Sequence, residues 1–126
     1  MVDEKLLRFV HSTLRSVWAL ELLLLMRGHA DRHWSAEALT RELRSNLALV
    51  DELLAHFHRC GLIARTEKEE WIWRPANGEL EYFAKATAEA YAHKPFQVIK
   101  AILDAPNDRM RSFADAFKLR KDEEPR

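Results

Sequence analysis

The sequence contains one cysteine, Cys60, three glycines and four prolines, and its charges show no excess of either sign. Each shortage excludes something. A single cysteine rules out an internal disulfide and fits a reducing compartment. So few glycines and prolines argue for long helices and against a strand-and-turn architecture. Twenty Lys and Arg against twenty Asp and Glu withhold the basic balance expected of a protein devoted to nucleic acid or an anionic membrane. Long apolar runs are missing too. LLLLM, within SVWALELLLLMRG, is too short to span a bilayer, and that segment carries Glu21. The opening MVDEK has acids where a signal peptide needs bases, so a cytoplasmic location is the expectation.

What is present suits one domain over residues 1–126: 48% hydrophobic and 32% charged, enough chain to bury one core but not two. Leu6, Leu7, Val10 and Leu14 at helical spacing predict an N-terminal helix over 3–14, with Asp3 and Glu4 in its first turn. Val17 to Met26 is apolar nearly all round, which predicts a central buried helix closed by Arg27 and Gly28. After the polar loop HADRH and Trp34, Ser35 is a predicted N-cap for SAEALTREL, with Ala38, Leu39 and Leu43 inward. Ser45 or Asn46 caps the next helix, whose apolar positions are Val50, Leu53, Leu54 and Phe57; Gly61 closes it in the left-handed conformation.

LIART and WIWR flank EKEE and read as a hairpin, and Pro75, Asn77 and Gly78 break its second strand. Terminal helices are then predicted over about 79–119: one to His93, one through PFQVIKAIL from Pro95, and one through DRMRSFADAFKL. Phe96, Ile99, Ile102 and Leu103 form one apolar stripe there, and Met110, Phe113, Ala114 and Phe117 another. Such stripes are core or dimer interface rather than a cofactor box. The fold class expected is mainly α with a small β-hairpin.

The order of helix, short strand, helix, helix and hairpin over residues 17–75 resembles the winged helix-turn-helix family. Residues 34–74 carry the resemblance in detail. Leu39 and Leu43 match the apolar pair of the family's second helix. Val50, Leu54 and Phe57 match the face of its third, and Gly61, Leu62 and Ile63 match the helix end and first wing strand. The helices on either side are similar to those with which bacterial regulators of the multiple-antibiotic-resistance type dimerise. RSVWALELLLL and FADAFKLRKD are also similar to segments of uncharacterised bacterial winged-helix proteins, a likeness that implies no activity.

The resemblance implies a DNA reader whose third helix enters the major groove. Carried over position by position, the base-facing residues are Ser45, Asn46, Ala48, Leu49, Asp51, Glu52 and His56. Asn46 can pair with adenine and Glu52 can accept from the cytosine amino group. Arg41, Arg44, Arg59 and Arg65 would grip phosphates, with Lys68 and Arg74 doing so from the wing. The charge count opposes strong binding. From Ser35 to Pro75, six bases (Arg41, Arg44, Arg59, Arg65, Lys68, Arg74) meet seven acids (Glu37, Glu42, Asp51, Glu52, Glu67, Glu69, Glu70). Arg41 and Arg44 also read as an ordinary solvated surface beside Glu37 and Glu42.

The alternative is a winged-helix adaptor that binds protein instead of DNA. In EWIWR, Trp71 and Trp73 share one face of the strand and Ile72 takes the other. If Ile72 packs inward, the tryptophans are an exposed protein interface; otherwise both belong to the core. HFHRC sets His56 and Cys60 one helical turn apart, but nothing completes a metal site, and a half-buried free thiol is the simpler account. A redox-sensing Cys60 is the remaining chemical role. No phosphate loop, nucleophile elbow or zinc-hydrolase motif is present. The expectation is a homodimeric transcription regulator for duplex DNA, without enzymatic activity, cofactor or metal.

Overall fold

The computed structural model describes residues 4–104 as six helices and one two-stranded antiparallel hairpin. Helix α1, Glu4–Thr13, turns Phe9, Val10 and Thr13 inward, and the fully buried Leu14 follows it. Ser16 then caps α2, Val17–Gly28, by accepting a hydrogen bond from the Ala19 amide at 3.2 Å. The chain bends by 103° between the two helices. Among the described residues no single helix is long and apolar enough to cross a membrane. As its composition predicts, α2 is the centre of the core: Ala19, Leu20, Leu22, Leu23 and Met26 are buried. Each large side chain so buried contributes about 2 kcal/mol.

Helices α3, Ala36–Leu43, and α4, Leu47–Arg59, follow the predicted caps. Ser35 accepts from the Ala38 amide at 3.0 Å, and Asn46, not Ser45, accepts from the Leu49 amide at 2.9 Å. The connection turns on Arg44, whose backbone is left-handed (φ 54°, ψ 44°). That conformation lets the Arg44 amide reach Arg41 O and the Ser45 amide reach Thr40 O, satisfying the last carbonyls of α3. Leu39 and Leu43 of α3 and Val50, Leu53, Leu54 and Phe57 of α4 are the inward residues in both helices, as the spacing requires.

Gly61 (φ 82°) ends α4, and the Leu62 amide returns to Phe57 O at 3.1 Å. Strand β1, Ile63–Arg65, pairs with β2, Trp71–Trp73, in the register Ile63 to Trp73, Ala64 to Ile72 and Arg65 to Trp71. Trp34 adds a one-residue third rung on the other side of β2, exchanging backbone hydrogen bonds with Trp71 at 2.8 and 2.7 Å. The loop Thr66–Glu70 closes the hairpin with Glu69 at φ 60°, so a non-glycine residue again takes the left-handed region.

Asn77 caps α5, Gly78–His93, through the Leu80 amide at 2.9 Å, and Pro95 opens α6, Pro95–Leu103. Both pack on α1 and α2. Val98 and Ile102 are the buried residues of α6, whereas Phe96 and Leu103 are 85% and 68% exposed. The predicted stripe is therefore divided: Ile102 faces the core, and Phe96 and Leu103 face out beside the half-buried Ile99. The second predicted stripe, Met110 to Phe117, and the last predicted helix lie outside the described residues.

Candidate nucleic-acid interface

The outward surface of α4 follows from its inward one. With Val50, Leu53, Leu54 and Phe57 in the core, a 3.6-residue repeat leaves Ala48, Asp51, Glu52, Ala55 and Arg59 exposed. Leu47, at the start of the helix, is 41% exposed. Asp51 and Glu52 therefore occupy the middle of this surface with no basic partner among the described residues.

The predicted phosphate-gripping residues divide by whether they are already engaged. Arg41, Arg44 and Arg59 are exposed and form no ion pair among the described residues. Glu37 and Glu42, the neighbours expected to neutralise Arg41 and Arg44, do not pair with them. Arg65 is engaged: it meets Glu69 at 3.3 Å and lies over the Trp71 ring at 4.9 Å. Lys68 and Arg74 join Arg65 around a hollow of about 440 Å³ on the outer face of the hairpin, floored by Ile72. Glu67 and Glu70 line the same hollow, so its basic residues do not form a single-signed patch.

Three of the predicted base-facing residues are committed elsewhere. The Asn46 carbonyl oxygen accepts from the Leu49 amide, so the side chain is oriented by its cap and only its NH₂ is wholly uncommitted. Ser45 is half-buried in the turn. His56 is a correction to the sequence reading. It is half-buried and turned toward the end of α1, with Nε2 3.2 Å from Ser12 O and 3.6 Å from Cys60 Sγ. The reason is its position one residue before Phe57, on the flank of α4 that meets the α1–α2 turn. Against a carbonyl acceptor, Nε2 carries the hydrogen. Burial holds the His56 pKa below the usual 6.5, and the charges of Arg15 and Arg59 depress it further, against the opposing hydrogen bond to Ser12 O.

Trp71 and Trp73 correct the reading as an exposed interface. They are 9% and 6% exposed and belong to the core, because β2 turns them toward α2 and leaves Ile72 on the outer face. Trp73 Nε1 donates to Glu81 Oε1 at 3.2 Å, and Arg27 holds the other oxygen of that carboxylate at 2.9 Å. Among the described residues no cluster of three or more His, Cys, Asp or Glu is arranged to hold a metal ion.

Sequence reasoning missed Arg15. It lies in the short connection between α1 and α2, outside any periodic pattern, yet it shares with Glu52, His56 and Arg59 a cleft of about 440 Å³. Only the bend between the two helices brings it there. In comparisons with known proteins, no family model, no curated protein and no solved structure matches the chain, so its own residues are the whole basis for a functional reading.

Proposed function

We propose that the chain is a winged helix-turn-helix protein that binds duplex DNA, as a homodimeric transcription regulator. The observation that carries the reading is the α3–turn–α4 unit followed by the hairpin, with Arg41, Arg44 and Arg59 exposed around it and without ion-pair partners among the described residues. Uncommitted guanidiniums at the two ends of a helix with one face open to solvent are the groups that replace condensed counterions on a phosphate backbone. In this reading α4 enters the major groove, and Arg41 and Arg44 hold the strand from the α3–α4 turn. Lys68 and Arg74 approach from the wing. Asp51 and Glu52 then face the groove, where Glu52 can accept from a cytosine amino group while charge repulsion keeps overall affinity modest.

Fluorescence anisotropy of a labelled random duplex, titrated with protein at low and then physiological salt, tests this. Micromolar binding that falls steeply as salt rises supports the reading. Absence of binding at low salt overturns it. The adaptor reading keeps one observation in its favour: the exposed acids of α4, which suit a basic protein partner. It has lost the tryptophans.

Homodimerisation forms part of the same proposal. Phe96, Ile99 and Leu103 fall at i, i+3 and i+7 of α6, on a face where Phe96 and Leu103 are exposed and Ile99 is half-buried.

A further inference from the structure

We propose that the cleft between the α1–α2 turn and α4 is a seat for a phosphoryl group, held by Arg15 from the turn and Arg59 and His56 from α4. Three observations converge on it. The cleft is a real concavity of about 440 Å³, with the buried Thr13 on its wall. Arg59 and His56 lie three residues apart on one side of α4, and Arg15 enters from a different element, so the cations are brought together by the fold rather than by sequence proximity. Neither guanidinium has an ion-pair partner among the described residues, although Glu52 lines the same cleft. Two positive groups beside a third basic side chain repel one another, and an anion between them relieves that repulsion.

The first turn of α2 contributes in the same direction. Ala19 lines the cleft, so the positive end of the α2 dipole adds to the field there. The charged and titratable groups around His56 are Arg15, Glu52, Arg59 and Cys60. With His56 neutral, its one N–H is held by Ser12 O and the two arginines and Glu52 sum to one positive charge; protonation gives Nδ1 an N–H to donate and brings the sum to two. A phosphodiester matches the first state and a phosphomonoester dianion the second. Guanidinium forks fit the several oxygens of a phosphoryl group better than a single point charge would. A bound anion also offsets the arginine charges that depress the His56 pKa, so occupancy raises it.

Two sources share this chemistry: the backbone of DNA, and a free phosphorylated small molecule. The seat stands independently of the DNA reading, and only the first source rests on it.

The test follows the imidazole resonances of His56 by NMR as inorganic phosphate is added at constant ionic strength, with sodium chloride as the control. The expected result is a saturable shift and a raised His56 pKa with phosphate and not with chloride. Arg15→Ala weakens phosphate binding about tenfold, the loss of a charged hydrogen bond. Glu52→Gln strengthens it severalfold by removing the opposing carboxylate. Both substitutions are at exposed positions, and far-ultraviolet circular dichroism confirms that each variant is folded. A shift that does not saturate, that chloride reproduces, or that survives Arg15→Ala undiminished overturns the seat.

Random-duplex binding by Arg15→Ala separates the sources. A lower affinity with a shallower salt dependence identifies a backbone phosphate. Unchanged duplex binding with lost phosphate binding identifies a free ligand. Failure of the wild-type protein to bind duplex, with the phosphate response intact, removes the DNA reading and leaves the seat.

Discussion

Trp73 Nε1 donates a hydrogen bond to Glu81 Oε1 at 3.2 Å, while Arg27 grips Oε2 of the same carboxylate at 2.9 Å. One half-exposed side chain on α5 thereby ties the end of β2 to the end of α2. Glu81→Ala should lower stability by about 1–2 kcal/mol, because it leaves a buried indole N–H without its acceptor and frees Arg27. Glu81→Gln, which keeps an acceptor oxygen, should cost less than Glu81→Ala. Urea unfolding of both variants checks the order; equal stability of all three proteins would mean that the link contributes nothing.

Arg44 allows the fold and the interface to be tested apart. Its left-handed backbone strains a residue with a Cβ, so Arg44→Gly should leave stability unchanged or raise it by up to about 1 kcal/mol. The same change removes a cation that the DNA reading needs. Duplex affinity should fall, and the salt slope should drop by about 1. A variant that keeps its melting temperature and also its full salt slope would take Arg44 out of the interface.

At Gly61 the opposite substitution is instructive. With φ at 82°, an alanine there is strained, and its Cβ would lie 3.3 Å from Leu80 Cδ1 and 3.4 Å from Ala76 Cβ. Gly61→Ala should destabilise by about 1–2 kcal/mol, seen as a lower urea midpoint with an unchanged slope. An unshifted midpoint would contradict this account of the α4–β1 turn.

The pH dependence follows from His56. Its folded pKa lies below 6.5, so in the window beneath 6.5 the unfolded chain binds more protons than the folded one. Stability contributed by this residue is therefore complete above the unfolded value and is lost as pH falls below 6.5. Urea midpoints for wild type and His56→Asn at pH 7.5 and 5.5 should show a smaller acid loss in the variant. Identical losses would assign the effect to other groups.

Phe96 and Leu103 test the proposed dimer. Replacing both by serine removes two exposed apolar side chains and should convert a dimer to a monomer by light scattering at micromolar concentration, with the melting temperature little changed at matched oligomeric state. A wild-type protein that is already monomeric would remove dimerisation from the proposal.

How much of this was legible in the sequence depends on the range of the interaction. Caps, glycine turns and inward faces are local: Ser35, Gly61 and the run Val50, Leu53, Leu54, Phe57 declare themselves through spacing alone. Between Ser45 and Asn46, spacing could not choose the cap; backbone geometry at Arg44 did. The side of β2 that faces the core was undetermined, since alternation gives two faces without saying which is covered. His56 and Arg15 were misread or missed for the same reason. Their surroundings arise from a bend between helices that brings residues 15 and 59 to one cleft, and no local pattern encodes such a meeting. On α6, the predicted stripe took in Phe96 and left out Val98, whereas packing buries Val98 and exposes Phe96.

The single rung between Trp34 and Trp71 has a dynamic consequence. Two backbone hydrogen bonds, from residues almost wholly shielded from solvent, fasten the chain just before α3 to the free edge of β2. α3 and α4 thus sit between two anchored ends, Trp34 on one side and β1 on the other. In amide hydrogen exchange such a segment should open as one cooperative unit, with the Trp34 and Trp71 amides released together. If α4 carries the proposed DNA surface, that surface would meet its ligand already ordered and spend little binding energy on ordering itself.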